Sequence, residues 1–518
     1  MKNIEINRQQ PYYRFFELLP GIITWGIFAA SVVLSFIKPE FFAVLIIIFS
    51  TYWLLKAFVM SARLIASYKI YKKDIHINWK ERCQKKFGSN NLTKNWQDVY
   101  HVVITACYKE SFETLDYSLE AIRKSDYPLD KIIFVLATEE RAKEIGQDNA
   151  NKLQKKYGNL FYKFIHSQHP VNLPDEIAGK GANITYAAKK ALKFIENKKI
   201  PIENVMVTTF DADHRPHKHY FSAMTYAYLD TKDPIYKSYQ PLPMFFNNIW
   251  DVPIIIRSIS IGSSFWQMIE STRPYRLRNF ASHAQPLKAL IETNFWSRLT
   301  IVEDGHQFWR SYFAFDGKYS VVPVNIPVYQ DAVLSNKGYY QTFREQYLQK
   351  KRWACGASDV AYVAINSIKD KKIPFWDKFF QNIRLMDGHI SWSTTSIVLF
   401  FAGWLPIILN SAFSETVVAF NFPFIYSRIL TIAMFGMAVT LTISTLMLPP
   451  RPKRSLNLSI LLEWIITPFL LPITNIVFSS LPAIHAQTLL LQGKYLGFHV
   501  TEKKAVKYQN MKNKTECK

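Results

Sequence analysis

The sequence predicts an α/β domain held between two groups of membrane-spanning helices. Three observations carry this. Long apolar runs stand at both ends of the 518-residue chain, with a mixed, charged stretch between them. In that stretch short apolar runs alternate with helical ones, the pattern of strands joined by helices. Lys and Arg crowd the edges of the apolar runs: Arg63, Lys69, Lys72 and Lys73 near one end, Arg451, Lys453 and Arg454 near the other. Positive charge beside a span marks its cytoplasmic flank.

Residues 18–37 are nearly all apolar and long enough to cross a bilayer as a helix. Lys38-Pro39-Glu40 breaks the run, and 41–62 forms a second. The second span and the lack of a small-residue cleavage site argue against a signal peptide. Residues 1–70 therefore read as a hairpin with both ends cytoplasmic, followed by a linker over 71–94.

Residues 95–373 form the expected cytoplasmic domain. Strands are expected at 102–104, 131–136, 161–165 and 205–210, with helices near 114–124, after Glu139 and over 181–195. In open sheets of this kind ligands bind beyond the carboxyl ends of the strands. Residues 252–269 are apolar but carry Arg257, which favours interfacial burial over spanning. A short strand is expected at 299–302.

Beyond the domain, 374–389 mixes aromatics with charge and suits an interfacial helix. The region 390–492 offers spans at 392–413 and 424–448. Residues 458–491 are too long for one span and carry Pro468, Pro472 and Pro482, which break or kink helices. They read as a broken helix or a final hairpin; the hairpin is favoured and gives about six spans and a basic cytoplasmic tail over 493–518. Five spans with the tail outside is the alternative.

The net charge of +23 suits acidic partners. No helix-turn-helix, zinc-ligand spacing or RNA-binding aromatic motif accompanies it, so nucleic acid is not an expected partner and membrane lipid is. Cys83, Cys107, Cys355 and Cys517 form no CxxC pair, which fits a reducing compartment without a disulfide framework. The sequons at Asn91 and Asn183 fall in the presumed cytoplasmic part and read as chance.

Four motifs can carry chemistry. Asp211-Ala212-Asp213 follows the apolar run 205–210, and carboxylates two apart beyond a buried strand can hold Mg²⁺ or Mn²⁺ with a diphosphate. By itself such a pair is common in surface loops. His214, His217 and His219 follow, but Arg215 and Lys218 among them oppose a cation. Glu303-Asp304 opens a helix, either as simple N-terminal caps or with one carboxylate as a general base. Gln349, Arg352 and Trp353 share one helical face. It offers a guanidinium for a diphosphate and an indole for a sugar ring, or else packs its Trp into the core.

In this order, TACYKE, GKGAN, DADHRP, VEDGHQFWR and QKKRW resemble the family 2 glycosyltransferases, in the branch of membrane cellulose and hyaluronan synthases, over 100–357. The resemblance implies a Rossmann-like, nucleotide-sugar-binding domain of the GT-A type beside an α-helical transmembrane bundle. It implies inverting transfer in polysaccharide biosynthesis, with a nucleotide-sugar donor of the UDP-sugar kind and a saccharide or lipid acceptor. It places Thr105 and Glu110 at the nucleoside, Lys180 at the nucleotide, and Asp211 and Asp213 at the metal and diphosphate. Asp304 is placed as the base, with Glu303 beside it, and Gln349, Arg352 and Trp353 lie near the leaving diphosphate and acceptor. The second strand departs from the family's paired aspartates and ends Ala137-Thr138-Glu139-Glu140, where Glu139 substitutes at greater length. His283 either lines the acceptor side or packs. Two rival readings are single-sugar transfer to a lipid and a non-catalytic scaffold. A transporter is disfavoured, because its clearest span acid, Glu463, stands near a membrane edge.

Overall fold

The computed structural model describes residues 4–88, 95–449, 457–497 and 501. The sequon at Asn91, the basic residues Arg451, Lys453 and Arg454, the Glu463 side chain and the tail beyond 501 lie outside the described residues.

Helix α1 (Tyr13–Ile37) is closed at Lys38, and Pro39 opens α2 (Pro39–Asp74). Proline is tolerated there because a first-turn N–H has no helical partner to lose. Helix α2 runs on for 12 residues beyond the apolar stretch ending at Ala62, so the expected linker begins as helix. Lys72 and Lys73 in its last turn complement the helix dipole.

The domain that follows is built as β1 (Tyr100–Ala106), α3 (Phe112–Arg123), β2 (Ile132–Glu139), α4 (Glu144–Tyr157), β3 (Lys163–His169), α5 (Lys180–Asn197) and β4 (Val205–Asp211). Then come β5 (Arg215–Pro216), β6 (Lys237–Met244), α6 (Ile254–Ser271), β7 (Ala284–Pro286), α7 (Glu303–Ala314), β8 (Ser320–Tyr329) and α8 (Tyr339–Ala354). All eight strands join one mixed sheet in the order β3-β2-β1-β4-β7-β6-β8-β5. The first four are parallel, and β7 runs antiparallel to β4. Because both faces are covered, these strands read as continuous apolar runs. Val103, Phe134 and Met206 enter one core, while Val102, Ile104 and Val135 pack against Ile184, Ala188 and Ile195 of α5 on the other face.

Residues 299–302 are not a strand. The preceding turn is tied down from outside: Ile177 N–H donates to the Arg298 carbonyl at 2.9 Å, and the Ser297 hydroxyl accepts from Leu299 N–H. The Ser297 carbonyl faces Gly181, where an added Cβ would stand 2.4 Å from it. The segment thus serves as a platform for the start of α5, which needs glycine at 181 for this approach.

Helix α6 packs between β6 and α2. Its Arg257 donates to the carbonyls of Ile249 and Val252 and lies over the Trp250 ring. After α9 (Asp359–Lys369), α10 (Phe375–Ile397) joins the expected interfacial helix and the start of the next span in one helix. The expected span 392–413 is broken: a π-helical turn at Val398–Ala402 is followed by only a short helix, Leu405–Leu409. Helices α11 (Val417–Ala433) and α12 (Phe435–Met447) continue one another.

Of the two forms expected for 458–491, the structure has the interrupted helix: α13 (Asn457–Asn475), a π-helical turn at Ile476–Ser480, and α14 (Leu481–Leu491). Pro482 sits in the first turn of α14. The π-helical turn lies directly before Pro482, where it can accommodate the carbonyl that this proline leaves unpaired, while Pro468 and Pro472 stay within α13. Among the described residues four helices are long and apolar enough to cross a membrane: Tyr13–Ile37, Pro39–Asp74, Val417–Met447 and Ile465–Leu491. The last docks beside α1, where the Thr24 hydroxyl donates to Gln487 at 2.7 Å and Arg14 donates to the Leu491 carbonyl. Tyr347 of α8 meets His485 at 3.2 Å, joining the helices to the domain.

Candidate active site

Lys180 is the first residue of α5 and is almost fully buried, its side chain 8% exposed. Its Nζ stands 2.9 Å from Asp211 Oδ1, 3.3 Å from Glu303 Oε1 and 3.3 Å from Asp304 Oδ2. Asp211 ends β4, and the two other acids open α7. One ammonium therefore joins three segments far apart in sequence.

Burial works against charge on Lys180, but Asp211, Asp304 and Glu303 outweigh it and hold the ammonium well above its ordinary value. Burial likewise opposes ionisation of Asp211, yet Lys180 and His214 draw it well below the usual carboxylate range. Glu303 goes the other way: burial, then the charge of Asp304, raise it to about 7, against the pull of Lys180 and Arg352. Both acids thus turn to Lys180 rather than serving only as caps. Asp304 is the more accessible residue, although its Oδ1 is itself buried and has no hydrogen-bond partner among the described residues.

His283 is buried beside this pair. Its Nδ1–H donates to the Phe280 carbonyl at 2.8 Å and lies 3.8 Å from Asp304 Oδ1, while burial lowers its pKa. It packs and faces the site at once.

Asp211, Asp213 and His214 each offer a ligand atom, and these atoms lie within 4.8 Å of one another. Two carboxylates and an imidazole fit a divalent ion of the Mg²⁺ or Mn²⁺ kind. Of the three histidines only His214 stands with the two carboxylates, and Arg215 turns away onto the Tyr117 ring and toward Asp331. His214 Nδ1 accepts from Asp211 N–H at 3.1 Å, and its Nε2 is 3.3 Å from Asp211 Oδ2. It therefore also orients Asp211. His219 instead pairs with Asp126. Asp213 accepts from Asp331 N–H at 2.8 Å, and Asn247 bridges the Asp213 carbonyl to Asp331. No sequence signal pointed to these supports, which arrive from β8 and the β6–α6 connection.

The expected nucleoside residues gather at the carboxyl edge of the sheet, where Ala106 is in register with Asp211. The Thr105 hydroxyl is buried and unpartnered. Glu110 accepts from Tyr108 N–H at 2.6 Å, and burial raises its pKa. Glu139 is held by Arg141, whose guanidinium lies 5.0 Å from the Tyr108 ring centre. On α8, Gln349 and Trp353 line a small pocket with Phe245, Ser260, Ser263 and Val333. The charge of Arg352 reaches Glu303.

No protein-family model matches the chain, and no curated protein does. Among solved structures it is similar to mannosyltransferase PcManGT from Pyrobaculum calidifontis in complex with GDP-Man and Mn²⁺. Identity is 16% over 84% of this chain and 100% of that chain, with a TM-score of 0.42. It is also similar to S. aureus TarS 1-349 in complex with UDP-GlcNAc (14% identity, 78% of this chain and 95% of that chain, TM-score 0.35). GalNAc-T7 with UDP, GalNAc and Mn²⁺ follows at 11% identity, 56% of this chain, 58% of that chain and TM-score 0.34. Likenesses this distant assign no role to any residue of the site.

Proposed function

We propose that the chain is an inverting glycosyltransferase of the family 2 kind, in the branch of the membrane polysaccharide synthases. It would move a sugar from a nucleotide-sugar donor to a saccharide or lipid-linked acceptor at the cytoplasmic face of a multi-pass membrane assembly. The observation that carries the reading is Lys180, which draws GKGAN, DADHRP and VEDGH to one point.

Asp211 and Asp213, with His214 beside them, would hold the Mg²⁺ or Mn²⁺ that neutralises the donor diphosphate when bound. Thr105, Glu110 and Glu139 border the nucleoside end. Lys180 occupies Asp304 Oδ2 and leaves Oδ1 free to accept hydrogen from an incoming acceptor hydroxyl. As that oxygen bonds to the anomeric carbon, the bond from carbon to diphosphate oxygen breaks and the proton passes to Asp304. Arg352 approaches the leaving diphosphate from α8, and Gln349 and Trp353 wall the acceptor side.

The test is nucleoside diphosphate release by membrane vesicles given a panel of nucleotide-sugars with Mg²⁺ or Mn²⁺. Asp304→Asn should cut release by roughly 10²–10⁴-fold while nucleotide-sugar binding persists. Undiminished release would remove Asp304 as the base. Failure of the wild-type chain to bind any nucleotide-sugar would leave the scaffold reading.

A further inference from the structure

A second charge cluster gathers arginines of α2 and α10 about the segment that follows α6, and the sugar chemistry does not use it. Arg63 comes from α2, Arg273, Arg276 and Arg278 from the segment after α6, and Arg384 from α10. Their acidic neighbour at the end of α6 is Glu270, which is ion-paired to Arg273. The charges of Arg63, Arg276 and Arg278 all reach Glu270, and that of Arg384 reaches Arg278. Arg63 donates to the Thr272 carbonyl at 3.2 Å. Arg384 lies over Tyr275 at 5.6 Å and Phe380 at 5.9 Å, and Arg278 over Trp309 at 3.9 Å. Among the described residues the Arg276 guanidinium makes no hydrogen bond or ion pair.

The surroundings say what would neutralise this charge. Arg63 follows directly on the apolar part of α2, one of the four helices able to cross a membrane. Exposed aromatic rings flank the cluster: Trp266 and Tyr275 on one side, Trp376, Phe379 and Phe380 of α10 on the other. Aromatics and arginines at the end of an apolar helix sit at headgroup level. A guanidinium fork matches two phosphate oxygens at once. Behind the rim, burial pushes Arg278 down to about 9 against the support of Asp359, the cost of a cation without a full counter-charge.

We propose that this arginine cluster binds the phosphate of an anionic membrane phospholipid, with Arg63, Arg276 and Arg384 as its contacts and Arg278 as the charge behind them. The proposal needs only the membrane association of the apolar helices, not the transfer reaction, so loss of one leaves the other standing.

The test uses the full chain in neutral detergent and follows its unfolding temperature against lipid concentration. The probes are dioctanoyl phosphatidylglycerol, dioctanoyl phosphatidylcholine and inorganic phosphate. Phosphatidylglycerol should bind about tenfold or more tighter than phosphatidylcholine. The pair Arg276→Gln with Arg384→Gln should weaken phosphatidylglycerol about 30-fold, as two headgroup contacts imply. Lys69→Gln with Lys72→Gln, at the exposed end of α2, should leave it unchanged. If the double variant does not elute like wild type, Arg276→Gln alone should show a loss of about fivefold. Unaltered lipid binding by the arginine variants, or equal loss in the lysine control, would overturn the site. Equal protection by inorganic phosphate would replace the lipid with a simple anion.

Discussion

At the candidate active site three carboxylates, Asp211, Glu303 and Asp304, gather around Lys180, with Asp213 beside Asp211 and Arg352 acting from α8. At the arginine cluster the proportions reverse: Arg63, Arg273, Arg276 and Arg278 act on Glu270, and Arg384 adds its charge beside Arg278. A third buried charge, Arg310 of α7, is different again. It donates to the carbonyls of Thr293 and Phe295 and to Gln307, and its charge is met by Glu5 ahead of α1. Burying charge costs several kcal/mol per ion unless it is paired. A matched pair such as Arg310–Glu5 therefore reads as structure. A surplus of one sign, held in place by the fold, reads as a seat for a partner of the other sign.

The largest effect should come from removing the lysine that holds the acidic surplus together. Lys180→Met leaves buried carboxylates facing one another and should cost about 3–5 kcal/mol, read as a fall in unfolding temperature. A wild-type unfolding temperature would mean the carboxylates are solvated and the comparison fails. Next is the response to metal. Saturating Mn²⁺, about 100-fold above its dissociation constant, should stabilise the wild-type chain by about 2.7 kcal/mol. Asp211→Asn should abolish that gain. An equal gain in the variant would move the ion away from the acidic surplus.

These contrasts were unequally visible in the sequence. The parallel strands were legible because buried strands are unbroken apolar runs, and Asp211 and Asp304 were legible because each follows a motif at an element boundary. His214 was set aside because its neighbours in sequence are cations, and only the fold shows that Arg215 points elsewhere. Lys180 was placed near the nucleotide by resemblance, but its bond to three acids depends on the close seat of Gly181 against Ser297. The form of 458–491 was left open between an interrupted helix and a hairpin, because Pro468, Pro472 and Pro482 suit either, and the fold has the interrupted helix. The arginine cluster was only partly linear: Arg273, Arg276 and Arg278 stand close in sequence, but Arg63 of α2 and Arg384 of α10 are more than 300 residues apart.

A smaller effect should separate the two acids of α7. Glu303 is raised to about 7 in the folded chain, from near 4.5, by burial and by Asp304. The folded state then binds a proton that the unfolded state releases, so its contribution to stability is present below about pH 4.5 and lost as pH rises through about 7. Unfolding temperatures measured across that window should show the decline, and Glu303→Gln should flatten it. A variant with the wild-type slope would assign the proton elsewhere.

The smallest effect tests the balanced pair. Glu5 is partly exposed while the Arg310 side chain is wholly buried, and Arg310 keeps three other acceptors if Glu5 is neutralised. Glu5→Gln should therefore cost only about 1–2 kcal/mol, the range of one hydrogen bond to a charged group. The same variant should keep the full stabilisation by Mn²⁺, because Arg310 sits beyond the first turn of α7 and contacts none of the metal-site acids. A loss of the Mn²⁺ response would mean that the segment ahead of α1 sets the position of Glu303 and Asp304. The matched pair would then belong to the active site rather than to the scaffold that supports it.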